Sequence, residues 1–303
     1  MDMSLMKLRT LLTCGALMAA TAALAQESVP SELRLKLLPN EVWWGGAVAL
    51  GRKMPFGAAP VAVDLAGDNY GNQAAPLLLS SQGRYVWCEK PFSFSVDPDG
   101  LKISSPGNAI RHGQAGRNLR TAYAFASARF FPTDGKTPDL SLVSAPQYNT
   151  WIELMYDQNQ RDILEYARAI LDNGLPPGVL MIDDNWQEDY GKWTFHPGRF
   201  PDPRAMMKEL HGLGFKVMVW VCPFVSADSD VYRALAKKDA FLMEKPGDPA
   251  MVTWWNGKSA VLDLTNPVAR GWFTEALSRL QSDYGVDGFK LDAGDPEFYD
   301  PAH

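Results

Sequence analysis

The sequence predicts a mixed β and α/β architecture: an N-terminal antiparallel β-sandwich followed by the first half of a (β/α)8 barrel, with four strands and therefore incomplete. Three observations carry this. Short alternating or apolar runs divided by turn residues fill the chain to about residue 146, strand-like and helix-like runs alternate beyond it, and polar residues fall repeatedly where those later strands end. The chain thus divides into a leader over residues 1–25, a sandwich domain over 26–146 and a partial barrel over 147–303.

In the leader, Lys7 and Arg9 precede the apolar stretch "LLTCGALMAATAALA", and Ala23 and Ala25 flank Leu24 in an A-x-A cleavage pattern. This predicts a secretory signal peptide and a secreted or periplasmic mature protein. The stretch is short for a bilayer span of about 20 residues, and no later run is more apolar, so no membrane partner is expected after cleavage. A net charge of −6 offers no basic face to nucleic acid. Cys14 falls in the leader, while Cys88 and Cys222 lack C-x-x-C or histidine spacing and read as buried small hydrophobes. The four histidines show no ligand spacing either, so neither a metal nor another cofactor is expected.

The sandwich is read from "LRLKLL", "APLLLSS", "RYVWCE", "FSFSV" and "LKISS". In "FSFSVDPDGLKIS" two alternating strands flank a "DPDG" turn, the pattern of a hairpin. Tryptophan pairs in "EVWWGG" and "TWWNG" suit either a core or a surface that stacks on sugar rings.

The barrel strands are expected at "TWIELM", "GVLMID", "KVMVWVCPF" and "VDGFKLD". Helices separate them. In "NQRDILEYARAILDNG" apolar residues recur at helical spacing, with Asn159 to cap the start and Gly174 to end it. "DPRAMMKELHGLG" opens on Asp202 and Pro203, "SDVYRALAKKD" supplies another helix, and "NPVARGWFTEALSRLQSDYG" again opens on Asn and Pro. Apolar strands joined this way form a parallel sheet. No glycine-rich phosphate loop follows the first of them, which disfavours a nucleotide-binding open sheet. Glu153, the pair Asp183 and Asp184, Cys222 and Asp292 are expected to end successive strands, all at the carboxyl-terminal rim where barrels keep their chemistry.

An acidic rim without metal ligands suits glycoside hydrolysis, in which one carboxylate attacks the anomeric carbon or activates water and another protonates the leaving oxygen. Lys290, two residues before Asp292 on the same strand face, would hold that aspartate charged. "VDGFKLDAGD" resembles the nucleophile strand of glycoside hydrolase family 31. The run from "GVLMIDDNWQEDYG" to "KVMVWVCPFVS" is similar to that family's second and third barrel strands, "KSAVLDLTNPVARGWFTEAL" to its approach to the fourth, and "GRYVWCEKPFSFSVDPDGLKISS" to its N-terminal sandwich.

The resemblance implies a retaining α-glycoside hydrolase acting on an α-linked oligosaccharide or glycoside, with Asp292 as catalytic nucleophile and Asp183 as a substrate-binding carboxylate. Two positions depart from the family's pattern. Lys290 stands where Trp is common, and Cys222 where Asp is common. "DDNW" with "KLD" is closer to the branch containing the myogenesis-regulating glycosidase and to related α-galactosidase families. The expected pocket is therefore galactosidase-like or otherwise non-glucose, rather than strictly α-glucosidase-like, and lined by Asp183, Asp184, Trp186 and Lys290. The family's general acid comes from a later strand, so a truncated, catalytically inactive chain is expected. Two alternatives stand beside this reading: a secreted carbohydrate-binding protein without catalysis, and a metal-assisted hydrolase holding a hard cation on Asp183, Asp184, Asp292 and Asp295.

Overall fold

The computed structural model describes residues 31–57, 59–69, 71 and 73–299. The expected signal peptide lies outside these residues.

Alternating side chains give eight short strands: β1 (Glu32–Leu35), β2 (Trp43–Ala47), β3 (Val61–Asp64), β4 (Ala74–Ser80), β5 (Arg84–Trp87), β6 (Ser93–Asp97), β7 (Gly100–Ser104) and β8 (Arg111–Gln114). They make two antiparallel sheets, in the orders β1-β7-β6-β3 and β2-β4-β5-β8. Trp43, Leu78, Val86, Phe94, Val96 and Leu101 are buried in one cluster contributed by both sheets, which is the expected sandwich. The "DPDG" turn joins β6 to β7, with Asp97 opposite Gly100. "WWGG" forms a bulge: the register shifts between Gly45 and Gly46, and a Cβ on Gly45 would stand 2.1 Å from the Leu77 carbonyl oxygen. Only glycine fits there.

Besides the short helical turns Val48–Lys53 and Ser141–Ser144, one longer element departs from the all-strand expectation. Leu119–Phe130 is a helix, α1, opened by a capping box between Asn118 and Thr121. It buries only Ala122 and Ala126, against Leu79.

The second half begins with α2 (Ser141–Ser144), β9 (Gln147–Asn149), α3 (Trp151–Leu154), α4 (Gln160–Asp172), β10 (Val179–Ile182) and the hairpin of β11 (Gln187–Asp189) with β12 (Lys192–Phe195). It continues through α5 (Pro203–Gly212), β13 (Lys216–Val221), β14 (Phe224–Ser226), α6 (Asp230–Ala236), β15 (Met243–Lys245), β16 (Asp248–Pro249), β17 (Met251–Trp254) and β18 (Gly257–Val261), and ends with α7 (Pro267–Tyr284) and β19 (Gly288–Leu291). Strands β9, β10, β13 and β19 lie side by side in chain order and all parallel, an arc of four barrel strands.

Asn159, Asp202 and Asn266 cap their helices through side-chain acceptors, as their positions predict. Helix α4 turns Ile163, Leu164, Ala167 and Ile170 inward, and α5 turns Met206, Met207 and Leu210; they share a core with Leu180, Val217 and Val219 of the sheet. Each large side chain so buried stabilises the fold by roughly 1.5–3 kcal/mol.

The first barrel strand is corrected. It is "QYN", not "TWIELM", because the Asn149 side chain accepts from the Trp151 N–H and turns the chain into α3. Glu153 is exposed on that short helix and does not reach the rim. Also beyond the expected elements, β14, β18 and β17 form a small antiparallel sheet, and the turn between β17 and β18 carries Trp255 and Asn256. Cys88 and Cys222 are buried and unpaired. Among the described residues no helix is long and apolar enough to cross a membrane.

Candidate active site

Parallel strands bring their carboxyl ends to one edge, and a cavity of about 320 Å³ opens there. Asp183 and Asp184 directly follow β10, Lys290 lies within β19 and Asp292 directly follows it. All four line the cavity, together with Trp151, Tyr156, Trp220 and Trp255. A larger hollow of about 510 Å³ lies along the β1-β7-β6-β3 sheet, lined by strand side chains that include Glu32, Arg34, Asp64 and Lys102 but by none of the strand-end residues of the barrel.

The strand alternation that puts Lys290 and Asp292 on one face is realised. Lys290 Nζ lies 3.1 Å from Asp292 Oδ2 and 3.1 Å from Asp183 Oδ2, so one ammonium bridges two carboxylates. Burial opposes the charge on Lys290, but Asp183 and Asp292 outweigh it and raise its pKa. Asp292 is held from a second side: Trp220 Nε1 donates to Asp292 Oδ2 at 2.6 Å. Burial again works against the charge. The Trp220 bond, the Ala293 N–H and Lys290 together overcome it and lower the Asp292 pKa below the usual carboxylate value. The result is a half-buried carboxylate biased toward its charged form and facing the cavity.

Asp183 is only 2% exposed. Its Oδ1 accepts the Asp184 N–H at 2.8 Å, its own N–H donates to Thr150 Oγ1 at 3.1 Å, and its other oxygen meets Lys290. Backbone and side chain are thereby fixed in the cavity wall.

Asp184 is committed differently. Tyr190 donates its hydroxyl to both oxygens, at 3.0 and 3.2 Å, the Asn185 N–H donates to Oδ1 at 2.6 Å, and Asn256 Nδ2 donates to Oδ2 at 3.1 Å. Burial raises its pKa against those donors, and burial, with the charge of Asp184 beside it, pushes Tyr190 upward in turn. Cys222, fully buried behind the rim, is also raised, by burial first.

Trp186 is a correction. It is 0% exposed, packs its ring against Phe195 with centroids 4.7 Å apart and donates Nε1 to the Trp220 carbonyl at 2.7 Å. It supports Trp220 from the core and does not line the cavity. The aromatic walls are Trp151, Tyr156, Trp220 and Trp255 instead. None of them was singled out by strand-end position. Trp255 alone carried a sequence signal, in "TWWNG". Asp295 lies outside the lining set, and among the described residues no group of three or more His, Cys, Asp or Glu side chains is placed to hold a metal ion.

A family model described as the glycosyl hydrolases family 31 TIM-barrel domain matches residues 142–303, more than half of the chain. The chain belongs to glycoside hydrolase family 31. It is similar to the mouse myogenesis-regulating glycosidase, 34% identical over 184 residues, which are 60% of this chain and 26% of that protein. It is similar too to the α-xylosidase XylQ of Lactiplantibacillus pentosus, 28% identical over 73% of this chain and 29% of the relative. Family 31 structures share the fold: an α-xylosidase from a soil metagenome complexed with xylose has a TM-score of 0.72 at 22% identity, covering 89% of this chain and 39% of that one. A Flavobacterium johnsoniae dextranase complexed with glucose gives 0.71 at 18%, covering 87% of this chain and 33% of that one. The chain thus spans about a quarter to two fifths of the length of these family 31 relatives.

Proposed function

We propose that this chain carries the sugar pocket and the nucleophile of a retaining α-glycoside hydrolase. The observation that carries the reading is the Asp292 carboxylate, kept ionised by Trp220 and Lys290 and facing the same cavity as Asp183. In the first step Asp292 Oδ attacks the anomeric carbon as the bond to the leaving group breaks, and a water later releases the sugar. Asp183 and Lys290 offer an acceptor and donors for sugar hydroxyls, and Trp151 and Trp255 offer rings for its apolar faces. Lys290 lines the cavity where the family commonly has Trp, which favours a sugar other than glucose, galactose and xylose being the first probes.

We infer that the general acid comes from outside the described residues. Asp183 is paired with Lys290, and Asp184 is enclosed by Tyr190 and Asn256, which leaves neither free to protonate a departing oxygen. The chain alone should then bind sugar without turning over unactivated glycosides. The mature protein is read as secreted or periplasmic, from the leader motif alone.

Calorimetry with xylose and galactose tests the pocket: saturable binding that is lost in Asp183→Asn and Lys290→Met supports it, and no binding to the unaltered chain refutes it. Binding that is indifferent to Asp183 and Lys290 would favour a carbohydrate-binding surface elsewhere. Fast hydrolysis of an unactivated α-glycoside by the chain alone would overturn the inference about the acid.

A further inference from the structure

We propose that Asn256 is a positioning residue that latches the turn between β17 and β18 onto Asp184, and so sets Trp255 as a wall of the cavity. The consequence for sugar binding rests on the function proposed above; the latch itself does not.

The turn projects from a small sheet, and its tip needs an anchor. Trp254 supplies one at its base, buried and packed edge-to-face against Tyr190 and Phe224 with centroids 4.8 and 4.6 Å away. At the tip, Asn256 Nδ2 donates to Asp184 Oδ2 at 3.1 Å and also to the Tyr190 hydroxyl. Trp255, between these anchors, is 44% exposed. One edge of its ring packs on Trp254 and Phe298, at 4.9 and 5.3 Å between centroids, while the residue lines the cavity.

Asp184 is the fixed end of this latch. It is 3% exposed, and an ionised carboxylate accepts about four hydrogen bonds. Tyr190, the Asn185 N–H, Asn256 and, at 3.4 Å, Gln187 Nε2 already provide four donors. Little acceptor capacity is left for a ligand, so Asp184 acts on the cavity through the turn it holds. Tyr190 joins a second hairpin, β11 to β12, to the same carboxylate, and the two insertions therefore share one anchor.

The test uses the full chain labelled with 5-fluorotryptophan and followed by 19F NMR, with Trp255→Phe identifying the Trp255 signal. Asn256→Ala should shift that signal toward the solvent-exposed position while the Trp186 and Trp193 signals stay in place, and should weaken xylose binding about tenfold, as loss of one buried hydrogen bond does. Asn256→Asp keeps the shape but sets two carboxylates together. The titratable groups around Asp184 are then Asp183, which Lys290 already pairs, Tyr190, Tyr156 and Cys222, with Asp292 beyond, and only the new pair can share a proton in mild acid. The Trp255 signal should therefore be displaced near neutral pH and return on acidification, a reversal that simple loss of packing does not give. An unmoved Trp255 signal in folded Asn256→Ala overturns the latch. If that variant does not fold, a signal in Asn256→Asp that ignores pH overturns it equally. Should the unaltered chain bind neither xylose nor galactose, the sugar pocket fails while the NMR signal still decides the latch.

Discussion

Trp220 and Asp292 are joined across neighbouring strands by a 2.6 Å hydrogen bond from indole Nε1 to carboxylate Oδ2. The β13 and β19 register sets Trp220 beside Lys290, so the indole and the ammonium meet the same oxygen from two directions. The aspartate is in this way charged, oriented and partly withdrawn from water before any ligand arrives.

Trp220→Phe keeps an aromatic side chain but deletes the N–H with its five-membered ring, leaving a small cavity at a buried site. Loss of a hydrogen bond to a charged group should cost about 1.5–3 kcal/mol in urea unfolding. The acid limb of Asp292 reactivity should also move to higher pH. An unchanged limb would show that the indole does not tune the carboxylate.

Lys290→Met leaves Asp183 and Asp292 facing each other without the cation. Galactose and xylose binding should fall at least tenfold, by about 1.4 kcal/mol or more. Stability should fall only by about 1 kcal/mol, since the ammonium is partly exposed to screening solvent. A stability loss without any loss of binding would make Lys290 a structural ion-pair partner only.

The lowered pKa of Asp292 fixes the sign of a pH effect. Its proton is held more tightly in the unfolded chain, so the stability its charge contributes is complete above the unfolded value near 4 and vanishes as pH falls through the lower folded value. The stability difference between the unaltered chain and Asp292→Asn should be widest above about pH 5 and close on acidification. Urea titrations across that range check it, and a gap that opens toward acid contradicts it.

Trp186 and Trp151 should respond oppositely to truncation. Trp186→Ala empties a wholly buried site and should cost about 3–5 kcal/mol, whereas Trp151→Ala, at the cavity, should weaken sugar binding with a much smaller effect on the melt.

Much of this site was legible in the chain because it depends on short periodicities. Asp183, Lys290 and Asp292 follow from counting strand residues, and the helix caps Asn159, Asp202 and Asn266 from their place before apolar runs. What was missed has weak local signals or depends on contacts distant in sequence. One miss is local: "TWIELM" is rich in strand-favouring residues, yet Asn149, two residues before Trp151, turns the chain, and "QYN" is too short to show alternation. Helix α1 buries two alanines, which leave almost no periodic signal. Trp220 is an interior strand residue, and its role appears only when β13 pairs with β19 in register. Trp186 sits next to the acidic pair in sequence, but its chain turns inward after Asn185, which has a positive φ of 73°.

The most direct test of Asp292 as nucleophile is intact-mass and peptide-level analysis after exposure to 5-fluoro-α-glycosyl fluorides of the galacto, gluco and xylo series. Attack by Asp292 breaks the bond to fluorine, and fluoride departs without needing a proton, so the step can proceed where no general acid is present. The account predicts one covalent glycosyl adduct, on the peptide containing Asp292 and absent from Asp292→Asn. An adduct on another residue, or no adduct from any of the three sugars on a chain that binds one of them, would contradict it.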